Sequence, residues 1–364
     1  MTRYRHRAGE LLVHAEDCAA IHAELAGFGY HPAGGAGVLR RFTGTRPVPE
    51  VLAALRGHGA SPNHLFGLDR IIWGDLRPRP TSLDLTPVLT TPERIAVRAG
   101  VIDTGIVLRD GKPHDFLGNR VCYDPEDTVR VVRGEDGNPV GSAGHGTFVA
   151  GVVLKQAGPD VGVRMKGVID EQRGEAEDLA VANAIDDLRA EGVTLINLSF
   201  SGQTFEDQPP KAIEAALGRL SPDTVVIASA GNRGMRQRVF PAGIRFGHTR
   251  PGEHHALVLP VGSADAGTEP RVADFSNFGP WIAAYADGVD ILGPYFHPGY
   301  PQEFSGYAVW SGTSFSAAIV TGKIAAVMAT GKSARDAAGE VLDAAGSITV
   351  HDLNGSAVVP LVRE

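Results

Sequence analysis

The sequence predicts an α/β fold, a mostly parallel sheet flanked by helices on both faces, preceded by a small α+β domain. Three observations carry that prediction. From Ile95 onward, short and nearly uninterrupted apolar runs alternate with longer segments of helical periodicity. Such runs are the mark of strands buried on both faces. Glycine is abundant, at 46 of 364 residues, which suits many tight strand-to-helix corners. Before Ile95 the elements are shorter and end in a proline-bearing stretch.

Within residues 1–75, Leu11 to Val13 reads as a strand and Cys18 to Phe28 as a helix with Ile21, Leu25 and Phe28 on one face. Gly34-Gly35-Ala36-Gly37 reads as a hairpin turn between Tyr30 and Leu39. Pro47 to Leu55 reads as a second helix with proline near its start. A last strand covers His64 to Phe66. The order β-α-β-β-α-β suits a small ferredoxin-like domain. Residues 76–94, holding Pro78, Pro80, Pro87 and Pro92, read as a linker.

Residues 95–364 form the larger domain. Its predicted strands are Val97 to Ile102, Val163 to Ile169, Thr194 to Phe200, Thr224 to Ser229 and Ala256 to Val261. The predicted helices are Gly146 to Gln156, Leu179 to Glu191, Pro210 to Leu220, Ser314 to Ala329 and Ala334 to Ala344.

Composition narrows the function classes. Lys and Arg number 34 against 42 acidic residues, a net charge of −8, which argues against nucleic acid or an anionic membrane as partner. Two cysteines, Cys18 and Cys122, give neither a disulfide framework nor a zinc cluster. The basic start, Met1 to Arg7, is not followed by the apolar core of a signal peptide. No run of about 18 apolar residues is present. A cytoplasmic protein is the expectation.

Parallel sheets carry their chemistry at the carboxyl ends of strands, and polar residues collect there. Asp103 ends "VID", Asn197 and Ser199 lie late in "TLINLSFSG", and Asn232 follows "VVIASAG". His145 stands between two glycines at a helix start in "GHGTFVAG". Ser311-Gly312-Thr313-Ser314 precedes the apolar helix from Ala317. That cluster is an N-cap on one reading and a serine nucleophile at a helix N-terminus on the other. Each of the other residues has a plain structural alternative as well, a turn former or a satisfied core group. Together they supply a nucleophile, a base, an orienting carboxylate and an oxyanion donor.

"VIDTGI", "GHGTFVAG", "ASAGN" and "SGTSFSAA" resemble the four signature blocks of the subtilisin-like serine proteases, in that family's order. The blocks lie 42, 87 and 82 residues apart, counted between Asp103, His145, Asn232 and Ser314. "FSNFGPW", from Phe275 to Trp281, resembles a further segment of the family. The resemblance implies an acyl-enzyme serine endopeptidase of subtilisin-like fold, acting on peptide or protein substrates. Ser314 is then the nucleophile, His145 the general base and Asp103 the carboxylate that fixes the imidazole. Asn232 is the side-chain oxyanion donor, beside the Ser314 N–H. Ser199, Phe200, Ser201 and Gly202, with Ser229, Ala230 and Gly231, would bind substrate. Phe148 stands where relatives commonly have a second histidine, Ala318 and Ile319 where they have proline and histidine, and Ser201 where they have glycine.

Rival classes leave other signatures. An aspartic protease would need a second D-[TS]-G beside Asp103-Thr104-Gly105, and none exists. The G-x-S-x-G elbow of an α/β-hydrolase fails around Ser314, because Ser316 occupies its last position. A catalytically silent pseudoprotease that binds a peptide or partner protein would show an eroded catalytic position, and all four are intact. No calcium loop can be mapped, so no cofactor or metal is assigned. The adjacent His254 and His255 read as solvent-facing loop residues. The resemblance also makes residues 1–75 propeptide-like, an intramolecular inhibitor packing a sheet face on the larger domain; a docking domain is the alternative.

Overall fold

The protein is described by a computed structural model covering residues 4–55, 59–68, 78–83, 85–86, 94–129, 142–245, 255–265, 267, 269–296, 306–352 and 355–364. The larger domain is built on a ten-stranded sheet. Its central order is Val161–Gly167, Val97–Asp103, Leu195–Leu198, Val225–Ser229, Leu257–Asp265, Ala284–Asp287, and each neighbouring pair is parallel. The chain starts at Val97–Asp103, crosses to Val161–Gly167 on one side, then returns to Leu195–Leu198 on the other. The carboxyl end of the first strand is therefore the point where strand order reverses, and Asp103 ends that strand. Open sheets of this kind bind ligands at such a switch point.

Alternation along each strand explains why both faces are dry. Val225 and Ile227 face one cluster and Val226 and Ala228 the other. The first face is covered by the helices His145–Gln156 and Thr313–Met328, the second by Asp178–Ala190 and Lys211–Gly218. Asp178, wholly buried, ties the second pair together by accepting from the Ala212 and Ile213 N–H groups at 3.2 and 2.9 Å. Burial pushes its carboxyl up to about 7, against the pull of those two donors.

The predicted helices and strands all form; most ends shift by a residue or two, but the strands at Leu257–Asp265, His6–His14 and Ala60–Gly67 extend four or five residues further at one end. The antiparallel hairpin Gly346–Asp352 and Gly355–Val362, which adds to the sheet beyond Ala284–Asp287, was not foreseen. Its signals are nonetheless in the sequence: Ile348 to His351 alternates apolar with polar, and Asn354-Gly355 is a hairpin turn pair.

The N-terminal domain has strands His6–His14, His31–Ala36, Leu39–Thr43 and Ala60–Gly67, with helices Cys18–Gly27 and Val48–Ala54. Its strand order, Ala60–Gly67, His6–His14, Leu39–Thr43, His31–Ala36, matches a ferredoxin-like arrangement. The glycine-rich stretch is placed differently from the expectation: Gly34 and Gly35 lie inside a strand, at a register shift, and the reversal falls at Gly37 and Val38. A side chain at Gly35 would meet the Leu39 carbonyl, so only glycine permits that pairing. One face of this sheet carries Leu11, Val13 and Phe42 against its own helices. The other presents Leu12, Leu39 and Phe66 to the core of the larger domain.

Of the proline-bearing stretch, Arg79–Thr81 forms a short strand paired antiparallel with Tyr307–Val309. Pro87 and Pro92 lie outside the described residues, as does His254.

Candidate active site

Asp103 is wholly buried, and one of its carboxylate oxygens accepts the Thr104 N–H at 2.7 Å. Its oxygens lie 2.7 and 3.0 Å from His145 Nδ1. A carboxylate only accepts, so Nδ1 carries a proton, which in the neutral imidazole leaves Nε2 as the acceptor. The helix bearing His145 is seated tightly against the turn after Asp103. Gly146 N–H donates to Thr104 Oγ1 at 2.9 Å, and a Cβ at Gly146 would stand 2.5 Å from the Gly105 carbonyl oxygen. Glycine after His145 is thus required by close approach of two backbones. The imidazole is 4% exposed, with the Trp310 ring 5.4 Å away edge-on and the Phe315 ring at 5.6 Å.

Ser314 is the second residue of the helix Thr313–Met328. On the cap reading it is Gly312 that occupies the cap position, so none of the cluster's hydroxyls caps the helix. The Ser314 hydroxyl instead donates to the Ser199 carbonyl at 3.0 Å. N–H groups of a first helical turn have no intrahelical acceptor, and Ser314 N–H belongs to that turn.

Asn232 is 7% exposed and stands beside this helix start. Its Oδ1 accepts from Thr313 N–H at 2.9 Å and from Thr313 Oγ1 at 2.8 Å. With the carbonyl end fixed, the amide nitrogen is turned toward the Gly312 side, where a Cβ would lie 3.5 Å from Nδ2. Gly231, at φ +91°, makes the corner that brings Asn232 there, and its N–H donates to Thr313 Oγ1. Asn277, buried in the "FSNFGPW" segment, holds this loop: it donates to the Ala230 carbonyl at 2.7 Å and accepts from Arg233 and Met235 N–H. Thr313 and Asn277 were not singled out from the sequence, since a hydroxyl at a helix start and an asparagine in a turn are ordinary.

Of the remaining candidates, Ser199 Oγ donates to the Ser314 carbonyl at 3.0 Å and accepts from Asn197 Nδ2 at 2.7 Å. Ser229 Oγ reaches the Phe200 carbonyl at 3.4 Å. Ser201 pairs in both directions with Gly67 of the N-terminal domain, N–H to carbonyl at 2.9 Å each way. Gly202 pairs likewise with Phe240, and a Cβ there would press on the Phe66 ring at 2.9 Å. On its other edge the Gly67 strand pairs with Glu175–Glu177, and Leu68 N–H donates to the Gly174 carbonyl at 3.1 Å. Arg5–Glu175 and Arg7–Glu177 ion pairs flank this seam. Phe148, the departure from the family pattern, is wholly buried with its ring 4.6 Å from Phe315 and 5.5 Å from Trp310. Tilted and edge-on aromatic contacts thus back the site.

Among the described residues no group of three His, Cys, Asp or Glu could hold a metal ion, and no helix is long and apolar enough to cross a membrane.

An open parallel sheet with a buried acid–imidazole pair at its switch point, and a serine at a facing helix start, belongs to the α/β hydrolytic folds. The chain belongs to the subtilase family, whose model matches residues 95–350. A thermophilic serine proteinase of Bacillus sp. (strain AK1) is 29% identical over 249 residues, spanning 64% of this chain and 52% of that protein. The chain thus spans about half the length of this relative. Among solved structures, fervidolysin from Fervidobacterium pennivorans, described as a keratinolytic enzyme related to subtilisin, aligns with all of this chain and 61% of its own at TM-score 0.64 and 18% identity. A cold-adapted subtilisin-like serine proteinase aligns over 82% of this chain and 97% of its own, at TM-score 0.53 and 22% identity.

Proposed function

We propose that this chain is a serine endopeptidase that hydrolyses peptide bonds through an acyl-enzyme on Ser314. The observation that carries this reading is the buried Asp103–His145 hydrogen bond at the switch point, beside the helix start that bears Ser314. His145 Nε2 takes the serine proton and later gives it to the leaving amine, while Asp103 stabilises the imidazolium between those steps. The oxyanion is received by Asn232 Nδ2 and the Ser314 N–H. The hydroxyl must first exchange its bond to Ser199 for one to Nε2. An antiparallel strand paired with Ser201 offers its next hydrogen-bonding residue to Ser199, two positions along. Substrate N–H therefore competes for the Ser199 carbonyl and frees the hydroxyl toward the base.

The N-terminal domain acts as an intramolecular inhibitor in this reading. Its support is Gly67, held between Ser201 and Glu175 as an extended substrate would be. Labelling by a fluorophosphonate probe, lost in Ser314→Ala, tests the peptidase. A folded protein that resists labelling even when Arg7→Glu, set against Glu177, loosens the N-terminal seam would instead be the silent, peptide-binding form.

A further inference from the structure

We propose that the chain's own Arg79–Thr81 strand acts as a cis competitor, holding the edge of Tyr307–Trp310 on which substrate residues beyond the scissile bond would lie. The inference rests on the peptidase reading above and adds a second side to it. Polarity comes from the Gly67–Ser201 pairing, which is antiparallel. A strand in that register runs from Ser201 toward Ser199, whose carbonyl accepts the Ser314 hydroxyl. Beyond Ser314 such a strand leaves the Ser199–Gly202 edge. It meets next the residues that lead into Ser314 from the other side, Tyr307–Trp310 followed by Ser311 to Thr313.

The linker strand lies on that edge with the same polarity. Thr81 pairs with Tyr307, Pro80 with Ala308 and Arg79 with Val309, so its amino end points along the edge toward Ser314. It is the outer strand of a three-stranded sheet, Ile291–Pro294, Tyr307–Trp310, Arg79–Thr81. Proline within it offers no N–H, which confines such a segment to an edge. Arg79 pairs with Asp290, whose N–H is held by Ser311 Oγ at 2.9 Å, and Tyr307 Oη donates to the Leu85 carbonyl at 2.8 Å. Trp310, the half-buried last residue of the Tyr307–Trp310 strand, sets its ring perpendicular to the His145 imidazole at 5.4 Å. A peptide with residues past the scissile bond must displace Arg79–Thr81; one that ends at the bond need not.

The test uses the full chain and two substrates with one acyl half. One is a peptidyl arylamide, the other an internally quenched peptide extending well past the scissile bond. Both proteins compared carry Arg7→Glu, which sets a carboxylate against Glu177 and loosens the acyl-side seam equally. Adding Arg79→Glu, which opposes Asp290, should raise kcat/KM for the long peptide about tenfold and leave the arylamide unchanged. A synthetic peptide of residues 78–83 added in trans should reverse that gain for the long peptide only. Equal gains on both substrates, or none on the long peptide, would overturn the assignment of this edge. A folded protein that cleaves neither substrate and takes no fluorophosphonate label overturns the peptidase reading and this one with it.

Discussion

Asn232 Oδ1 accepts two hydrogen bonds from one residue, the main-chain N–H and the hydroxyl of Thr313. The amide proposed to receive the oxyanion is thereby aimed by the residue next to the proposed nucleophile. Thr313→Val keeps the N–H bond and the shape but loses the hydroxyl. It also takes the acceptor from the Gly231 N–H, and the two lost bonds should lower kcat about tenfold or more with little change in KM. Asn232→Ala should lower kcat by about 10²–10³, the size of this effect in a subtilisin, a member of the same family. Steady-state kinetics on one arylamide separates the two; a Thr313→Val protein with unchanged kcat would refute the aiming role.

Ser314→Ala, His145→Ala and Asp103→Asn should each remove nearly all turnover while leaving the thermal transition close to that of the parent. Asp103→Asn reverses the donor at His145 Nδ1, so the base presents the wrong tautomer. Any two of these combined should be scarcely worse than one, because the groups act as a unit. Single-turnover rates of the double variants provide the check.

His64 couples the two domains to acidity. It is buried at the seam, with Nε2 accepting the Phe205 N–H at 3.1 Å and the rings of Tyr4 and Phe66 alongside. Burial, with His6 nearby, lowers its pKa to about 3. The released or unfolded imidazole has a pKa near 6.5. Stability contributed by neutral His64 is therefore full above about pH 6.5, and is lost as the pH falls toward 3, by about 1.4 kcal/mol per unit. Denaturant midpoints measured from pH 7 to 4 should fall accordingly. His64→Gln, which retains an acceptor without titrating there, should flatten that fall; an unchanged slope would remove His64 from the account.

Phe148 fills the space between the His145–Gln156 helix and Ile291–Pro294, where three of its ring atoms lie within 2.9 Å of a Cβ placed at Gly293. Phe148→Ala should cost about 3–5 kcal/mol, read from chemical denaturation. Gly293→Ala should also destabilise, and combining it with Phe148→Leu should recover part of the loss. Failure of the pair to compensate would mean that the ring and the strand are not in register.

Much of this architecture is legible because burial on both faces writes itself as apolar runs such as Val225 to Ile227. Polar residues at the ends of those runs, Asp103 and Asn232, then stand out. Thr313 and Asn277 do not stand out, because their bonds look like those of any cap or turn until the partner is seen. Cross-chain contacts are quieter still. Gly67 and Ser201 meet through main-chain atoms, which any residue carries, so no side chain announces the pairing. Asp178 is similar: its carboxylate caps a helix that begins some thirty residues later, and nothing local marks it as more than a helix start.

On the proposed reading, the seam between Gly67 and Ser201 also sets how activity responds to dilution. If the Gly67 strand inhibits as proposed, it is covalently part of the molecule it covers, so its local concentration is set by the tether, on the order of millimolar for short linkers in general. Activity per molecule should then be independent of how dilute the protein is, and a substrate competes only as it approaches that concentration or binds more tightly than the strand. Severing the chain between Gly67 and Arg79 replaces the fixed value with the bulk one. The same contacts would then hold at high protein concentration and let go on dilution, turning a permanent cover into a concentration-dependent one.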